Sequence, residues 1–237
     1  RGKVLTLRTV TGRMAHHSPN MAQVPAVYSP YGKECRSLWT VTNPDTHVLV
    51  GTDASSLELR CLAHYLDDRG YINEVVNGDI HTANQRAAGL KTRDQAKTFI
   101  YAFLYGAGPV KLGQIVGGGA AQGATLTKRF LDNVPNLKTL RKNIQEAAQE
   151  GPIRGVDGRL LQIRNVHSSV NTLLQGAGAI ICKEWLVHMD KYIRGTGLDV
   201  KLVASIHDEY QFEVAKKDVN RFGLITKSAM KDAERAL

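Results

Sequence analysis

Arg93, Lys97, Tyr101 and Tyr105 each stand four residues from the last in the segment Thr92-Arg93-Asp94-Gln95-Ala96-Lys97-Thr98-Phe99-Ile100-Tyr101-Ala102-Phe103-Leu104-Tyr105-Gly106. Four residues of α-helix turn through about 400°, so these side chains share one slowly drifting face about 18 Å long. Ala96, Ile100 and Phe103 fall on the other side and can anchor the helix to a core. The result is a rod with two cations at its start and two aromatic rings at its end. A ligand with a polyphosphate tail and a flat, π-faced head fits that order of groups. The same spacing also describes an amphipathic surface helix with a snorkelling lysine and two boundary tyrosines.

Two carboxylates sit where strands should end. Val48-Leu49-Val50-Gly51-Thr52-Asp53 reads as a buried strand closing on Asp53, and Asp208 lies in the turn His207-Asp208-Glu209 between two further strands. Carboxylates at strand ends project beyond the sheet, where a hard cation can reach them. Magnesium is usually held by one or two carboxylates plus substrate phosphates and water. Two carboxylates from distant segments could hold a pair of metals about 3.5–4 Å apart, the arrangement used for in-line attack at phosphorus. An Asp in a turn is also commonplace, because its side chain caps the local backbone.

The elements that must position these groups read as follows. Residues 1–47 are rich in Pro, Gly and polar residues, with a short β-like run at Lys3–Val10. After the Asp53 strand, Ser55-Ser56-Leu57-Glu58 opens a helix to about Leu66, and Ser55-x-x-Glu58 matches a capping box. Residues 70–150 are mostly helical, punctuated by glycines. Ile153–Ile163 holds Asp157-Gly158 between extended flanks, a hairpin signal. Ser168–Arg194 reads as a long helix with core positions Leu174, Ala177, Ile181 and Trp185, and it places Asn171 and Gln175 one turn apart on one face. Leu202–Ile206 and Tyr210–Val214 read as strands. Strands at both ends of a helical middle predict an α+β sheet domain with a helical insertion.

Composition narrows the partners. The net charge is +9, from 31 Lys+Arg against 22 Asp+Glu in 237 residues, which points to a polyanion: nucleic acid or a phosphorylated ligand. No apolar run is long enough to span a membrane, so no membrane partner is expected. The three cysteines, Cys35, Cys61 and Cys182, form no CxxC pair, which argues against zinc and a disulfide framework and fits a reducing compartment.

Taken in order, these segments resemble the A family of DNA polymerases, over nearly the whole chain. Asp53-Ala54-Ser55-Ser56-Leu57-Glu58-Leu59-Arg60 is similar to the family's first palm motif, Arg93 to Gly106 to its fingers helix, and His207-Asp208-Glu209 to its second metal-binding palm motif. Thr11-Gly12-Arg13 and Asn20-Met21-Ala22-Gln23-Val24-Pro25 resemble the start of the palm. Gly78-Asp79-Ile80-His81-Thr82, Arg93-Asp94 and Asn171-Thr172-Leu173-Leu174-Gln175 have the flavour of the replicative polymerases of short-tailed phages. The resemblance implies an antiparallel palm sheet plus a mainly helical fingers subdomain, the right-hand architecture, with the thumb and exonuclease absent. It sets palm at 1–62, fingers at 63–170 and palm again at 171–237, with the last part of the palm missing.

It also implies roles. Asp53 and Asp208, with the carbonyl of Ala54, would bind two Mg2+ ions, with Glu209 assisting nearby. Arg93 and Lys97 would hold the triphosphate, Lys97 also donating a proton to departing pyrophosphate, and His81 would contact the phosphates. Tyr101 would lie against sugar and base, with Glu58 beside it to block a ribose 2′-hydroxyl. Tyr105 and Gly106 would shape the templating-base site. Arg13, Asn171, Gln175 and His207 would meet the primer–template duplex through minor-groove acceptors common to all base pairs. The expected partners are primer–template DNA and deoxynucleoside triphosphates, in bacterial or phage-infected cytoplasm. A processivity or replisome partner is not identifiable from the chain. Two other readings stay open: a primer–template-binding fragment without catalysis, and a single-subunit RNA polymerase, against which Glu58 argues.

Overall fold

The computed structural model describes residues 2–236. In chain order the elements are β1 (Lys3–Leu5), β2 (Ala15–His17), α1 (Gly32–Ser37), β3 (His47–Asp53), α2 (Leu57–Leu66), α3 (Arg69–Val76), α4 (Ile80–Ala88) and α5 (Arg93–Leu104). There follow α6 (Pro109–Gln114), α7 (Ala120–Asn133), α8 (Pro135–Glu150), β4 (Ile153–Arg154), β5 (Leu160–Leu161), α9 (Ser169–Thr196), β6 (Val200–Ile206), β7 (Glu209–Ala215) and α10 (Val219–Arg235). The chain divides into two compact units: residues 1–55 with 176–237, and residues 56–175. The boundary at 175 falls inside α9.

The first unit is built on an antiparallel sheet in the order β3-β7-β6. In the central strand, β7, Tyr210, Phe212 and Val214 are buried on one face, and Glu213 on the other face is buried as well. They pack with Trp185 of α9 and Phe222 of α10, with the Phe212 and Phe222 rings 4.8 Å apart, edge to face. The polar tips in this core are satisfied: Trp185 Nε1 donates to the Thr226 carbonyl and the Tyr210 hydroxyl to the Cys182 carbonyl, each at 2.8 Å. Burial pushes the Tyr210 hydroxyl far above its usual pKa, so it remains a donor. A smaller hairpin pairs β1 with β2, three residues each, so only the first part of the run expected over Lys3–Val10 is strand.

The second unit is helical apart from the two-residue strands of the Asp157-Gly158 hairpin. Its core gathers Phe99 and Ile100 of α5, Leu59 and Leu62 of α2, Phe130 of α7 and Leu137 of α8, all fully buried. The Phe99, Phe103 and Phe130 rings form one cluster, with centroids 5.3–5.8 Å apart. Helices α6 and α7 approach backbone to backbone through glycine. A Cβ on Gly123 would stand 1.9 Å from the Pro109 carbonyl oxygen, so no larger residue fits.

Two local expectations are corrected. The N-cap of α2 is Ser56, not Ser55; it sits at φ +55° and makes no side-chain cap bond. A capping hydroxyl needs extended backbone to reach back to the first turn, and Ser56 is left-handed. On α9, Leu174, Ala177 and Trp185 are buried as expected, whereas Ile181 is half-exposed and its neighbours Ile180 and Cys182 are buried. The buried stripe drifts by a residue, because the helical repeat is not a whole number.

Candidate active site

In the first unit, the sheet brings the predicted carboxylates to one end. Residues facing each other across β3 and β7 include Asp53 and Glu209, the last residue of one strand and the first of the other. The Ala54 amide donates to the Asp208 carbonyl at 3.0 Å, one step beyond that pair. Ala54 is buried, Asp208 and Glu209 half-buried, and Asp53 exposed. The β6–β7 turn is tighter than expected: Ile206 pairs with Glu209, leaving His207 and Asp208 as a two-residue loop. Such loops favour left-handed backbone, and His207 supplies it at φ +58°. The Gln211 side chain donates to the Glu209 carboxylate and so fixes it along the strand.

The donor set fits a hard cation. Asp53 of β3, Glu209 of β7, Asp208 of the loop before it and the Ala54 peptide present oxygen ligands only. Among the described residues no three His, Cys, Asp or Glu side chains form a metal cage. Magnesium does not need one, since phosphate and water complete its shell. Near the same loop, His16 of β2 sets its ring edge-on to that of His207, centroids 6.5 Å apart. Among the described residues neither ring nitrogen of His16 has a hydrogen-bond partner, although both are buried. Sequence reasoning singled out Arg13, which is half-buried on the approach to β2, and passed over His16. Nothing local to Ala15-His16-His17 signals a neighbour about 190 residues away.

In the second unit, α5 carries the predicted ladder. Thr92 caps it in a full capping box with Gln95, whose side chain accepts from the Thr92 amide. Arg93 and Lys97 are exposed on its first two turns. The Arg93 guanidinium grips Asp79 with two bonds, 2.6 Å from Nε and 3.0 Å from Nη2. Asp79 is also the N-cap of α4, accepting from the His81 amide and the Thr82 hydroxyl. Arg93 above all, then Thr82, holds the Asp79 carboxyl well below the usual carboxylate range. Lys97 has no ion pair or side-chain hydrogen bond among the described residues.

Farther along, the Tyr101 and Tyr105 rings are 6.2 Å apart, and the His81 ring is 6.2 Å from Tyr101. His81 is 7% exposed. Burial, reinforced by Arg93 and Lys97, lowers its pKa, so the ring is neutral near pH 7. Glu58 of α2 is 6% exposed and accepts from the Tyr105 hydroxyl at 3.3 Å. The structure therefore gathers Glu58, His81, Arg93, Lys97, Tyr101 and Tyr105 on α2, α4 and α5. Gly106 ends α5 at φ +77°, against the His167 carbonyl. Asn171 and Gln175 are both half-buried on the first two turns of α9. The Asp79 clasp was foreseeable only in part: Asp79 before Ile80 is a helix-start signal, but its grip on Arg93 is not written in the spacing.

The fold is of the α+β class, with an antiparallel sheet in one unit and packed helices in the other. Its coordinates superpose on the polymerase domain of Pol1 from M. smegmatis, solved in complex with DNA primer-template and dNTP, with a TM-score of 0.87 over 98% of this chain and 44% of that one, at 22% identity. The sequence matches the family model for DNA polymerase family A over residues 1–237, and the chain belongs to that family. It is 44% identical to the DNA-directed DNA polymerase of Enterobacteria phage T3 over 92% of this chain, and 45% identical to that of Escherichia phage T7 over 89%. It is 27% identical to DNA polymerase I of Geobacillus stearothermophilus over 98% of its length. The chain spans about a third of the length of these relatives: 35%, 34% and 29%.

Proposed function

We propose that the chain carries out template-directed DNA synthesis, adding deoxynucleotides to a primer 3′-hydroxyl with release of pyrophosphate. The single observation that carries the reading is the convergence of Asp53, Asp208 and Glu209 at one sheet end, tied by the Ala54–Asp208 backbone bond. Family membership supports it.

In this reading Asp53, the Ala54 carbonyl and Asp208 hold two Mg2+ ions. When bound, these ions would lower the pKa of the attacking hydroxyl and neutralise the leaving oxygens. Glu209, fixed by Gln211, supports the same end of the sheet. Phosphoryl transfer asks the protein mainly for positioning and charge neutralisation. Lys97 supplies an unpaired ammonium to the triphosphate and a proton to pyrophosphate as it leaves. Arg93 adds the guanidinium donors that Asp79 does not occupy, and Asp79 holds the fork in place. His81, neutral, offers a hydrogen bond to a phosphate oxygen. Tyr101 lies on the sugar and base, and Glu58, oriented by Tyr105, excludes the 2′-hydroxyl. Tyr105 and Gly106 shape the templating-base site. Arg13, His207, Asn171 and Gln175 contact the primer–template duplex.

Residues 1–62 and 171–237 are assigned to the palm and 63–170 to the fingers. No helix among the described residues is long and apolar enough to cross a membrane. On the phage and bacterial relatives, the protein is assigned to bacterial or phage-infected cytoplasm. A second reading, a primer–template-binding fragment without catalysis, rests on the net charge of +9. Primer extension with magnesium, offering deoxy- and ribonucleotides separately, decides among the readings. Deoxynucleotide incorporation supports polymerisation, equal use of ribonucleotides contradicts the Glu58 gate, and duplex binding without extension supports the second reading.

A further inference from the structure

Gln211 of β7 lies directly across from Gly51 of β3, two positions along each strand from the facing pair Asp53 and Glu209. Side chains two apart on a strand point to the same face, so Asp53, Glu209 and Gln211 share one side of the sheet with Gly51. Glycine inside a strand weakens it and marks a place where another group comes close. Here the group is Gln211. A Cβ on Gly51 would stand 2.7 Å from Gln211 Nε2 and 3.4 Å from its Cδ and Oε1. The missing Cβ is therefore a notch in β3 that the Gln211 amide occupies. From that notch Gln211 Nε2 donates to Oε1 of Glu209. An ionised carboxylate only accepts, so the amide nitrogen and not its oxygen must face Glu209.

Glu209 adjoins Asp208 in the chain and faces Asp53 across the strands, so three carboxylates are placed to meet. Among the described residues, however, no three His, Cys, Asp or Glu side chains gather closely enough to hold a metal ion. The Gln211 bond supplies a reason, because it draws Glu209 along β7 and away from the loop that carries Asp208. We propose that Gln211, seated in the Gly51 notch, is a positioning residue that withholds Glu209 from the metal site. Magnesium bound through one or two carboxylates keeps positions for substrate phosphates and water, and a third carboxylate would take one of them. The consequence for the metal rests on the reading of Asp53 and Asp208 given above; the tether of Glu209 does not.

The test is Mn2+ binding to the whole chain, followed by electron paramagnetic resonance without DNA or nucleotide. Gln211→Met keeps the length of the side chain and deletes the donor. Gly51→Ala pushes the amide out of its notch. Each should bind Mn2+ about 3- to 10-fold more tightly than wild type, the range of the one hydrogen bond released. The double variant should bind no more tightly than either single one, because both remove the same bond. Adding Glu209→Gln to Gln211→Met should restore the wild-type affinity. Loosening of the sheet would weaken binding, so the direction of the change separates positioning from a merely structural role. Unchanged or weaker binding in Gln211→Met, or tightening that survives Glu209→Gln, would overturn the proposal. Tightening in Gln211→Met but not in Gly51→Ala would overturn the part given to the notch. The tether is read separately from the side-chain amide 1H–15N resonances of Gln211, assigned by their loss in Gln211→Met. They should move in Glu209→Ala and in Gly51→Ala, and resonances unmoved in both would overturn the tether. A wild-type chain that binds no Mn2+ while these resonances move would contradict the metal-site reading and uphold the tether.

Discussion

The Ala54 amide donates to the Asp208 carbonyl at 3.0 Å, which ties the end of β3 to the loop that opens β7. That loop depends on a left-handed residue, His207 at φ +58°. His207→Gly should therefore leave stability within about 1 kcal/mol of wild type, since relief of the left-handed strain offsets glycine's entropy cost. His207→Val, β-branched at positive φ, should lose about 1–2 kcal/mol. Primer–template affinity should fall in both, because the imidazole is lost in both. Thermal unfolding and duplex binding measured together check this; unchanged duplex affinity in His207→Gly would remove His207 from the DNA contacts.

Tyr105→Phe keeps the ring and deletes the hydroxyl that donates to Glu58. A carboxylate that is 6% exposed and loses a donor should become less well fixed. Discrimination against ribonucleotides should drop about 3- to 10-fold, the range of a single hydrogen bond, with little change in deoxynucleotide kcat. Competition between paired ribo- and deoxynucleotides measures the ratio. An unchanged ratio would mean that Tyr105 does not orient the gate.

Glu213 of the central strand is 5% exposed and accepts from the Thr42 amide and hydroxyl at 3.1 and 3.0 Å. The Thr42 amide above all holds its carboxyl below the ordinary 4.5. A lowered folded-state pKa means that the charged form is favoured in the native protein. Its contribution is therefore fully present above pH 4.5 and is lost as pH falls through the lower folded value. Glu213→Gln should melt at a lower temperature than wild type at neutral pH, with the gap narrowing below pH 4.5. A gap independent of pH would assign the loss to packing instead.

Much of this arrangement is legible in the sequence because it is local. The alternation in β7, the strand ending at Asp53 and the four-residue spacing on α5 are short-range patterns, and each element lies within a few residues of its expected place. What the sequence conceals depends on distant partners. The Glu58–Tyr105 bond spans 47 residues and the pairing of His16 with His207 joins the two ends of the chain. The Asp79 grip on Arg93 needs two helices already packed. Ser55 failed as a cap for a different reason: the motif was present, but Ser56 took up a left-handed backbone that no side-chain pattern announces.

The most direct test of the central claim is single-turnover incorporation of one deoxynucleotide onto a primed template with magnesium, comparing the wild-type chain with Asp53→Ala and Asp208→Ala. Removing a ligand that is needed only when charge develops should lower the rate at least about 1000-fold in each variant, with duplex affinity within a few-fold of wild type. Wild-type rates in either variant would contradict the assignment of that carboxylate to the metal site, and with it the account of this sheet end as the catalytic centre.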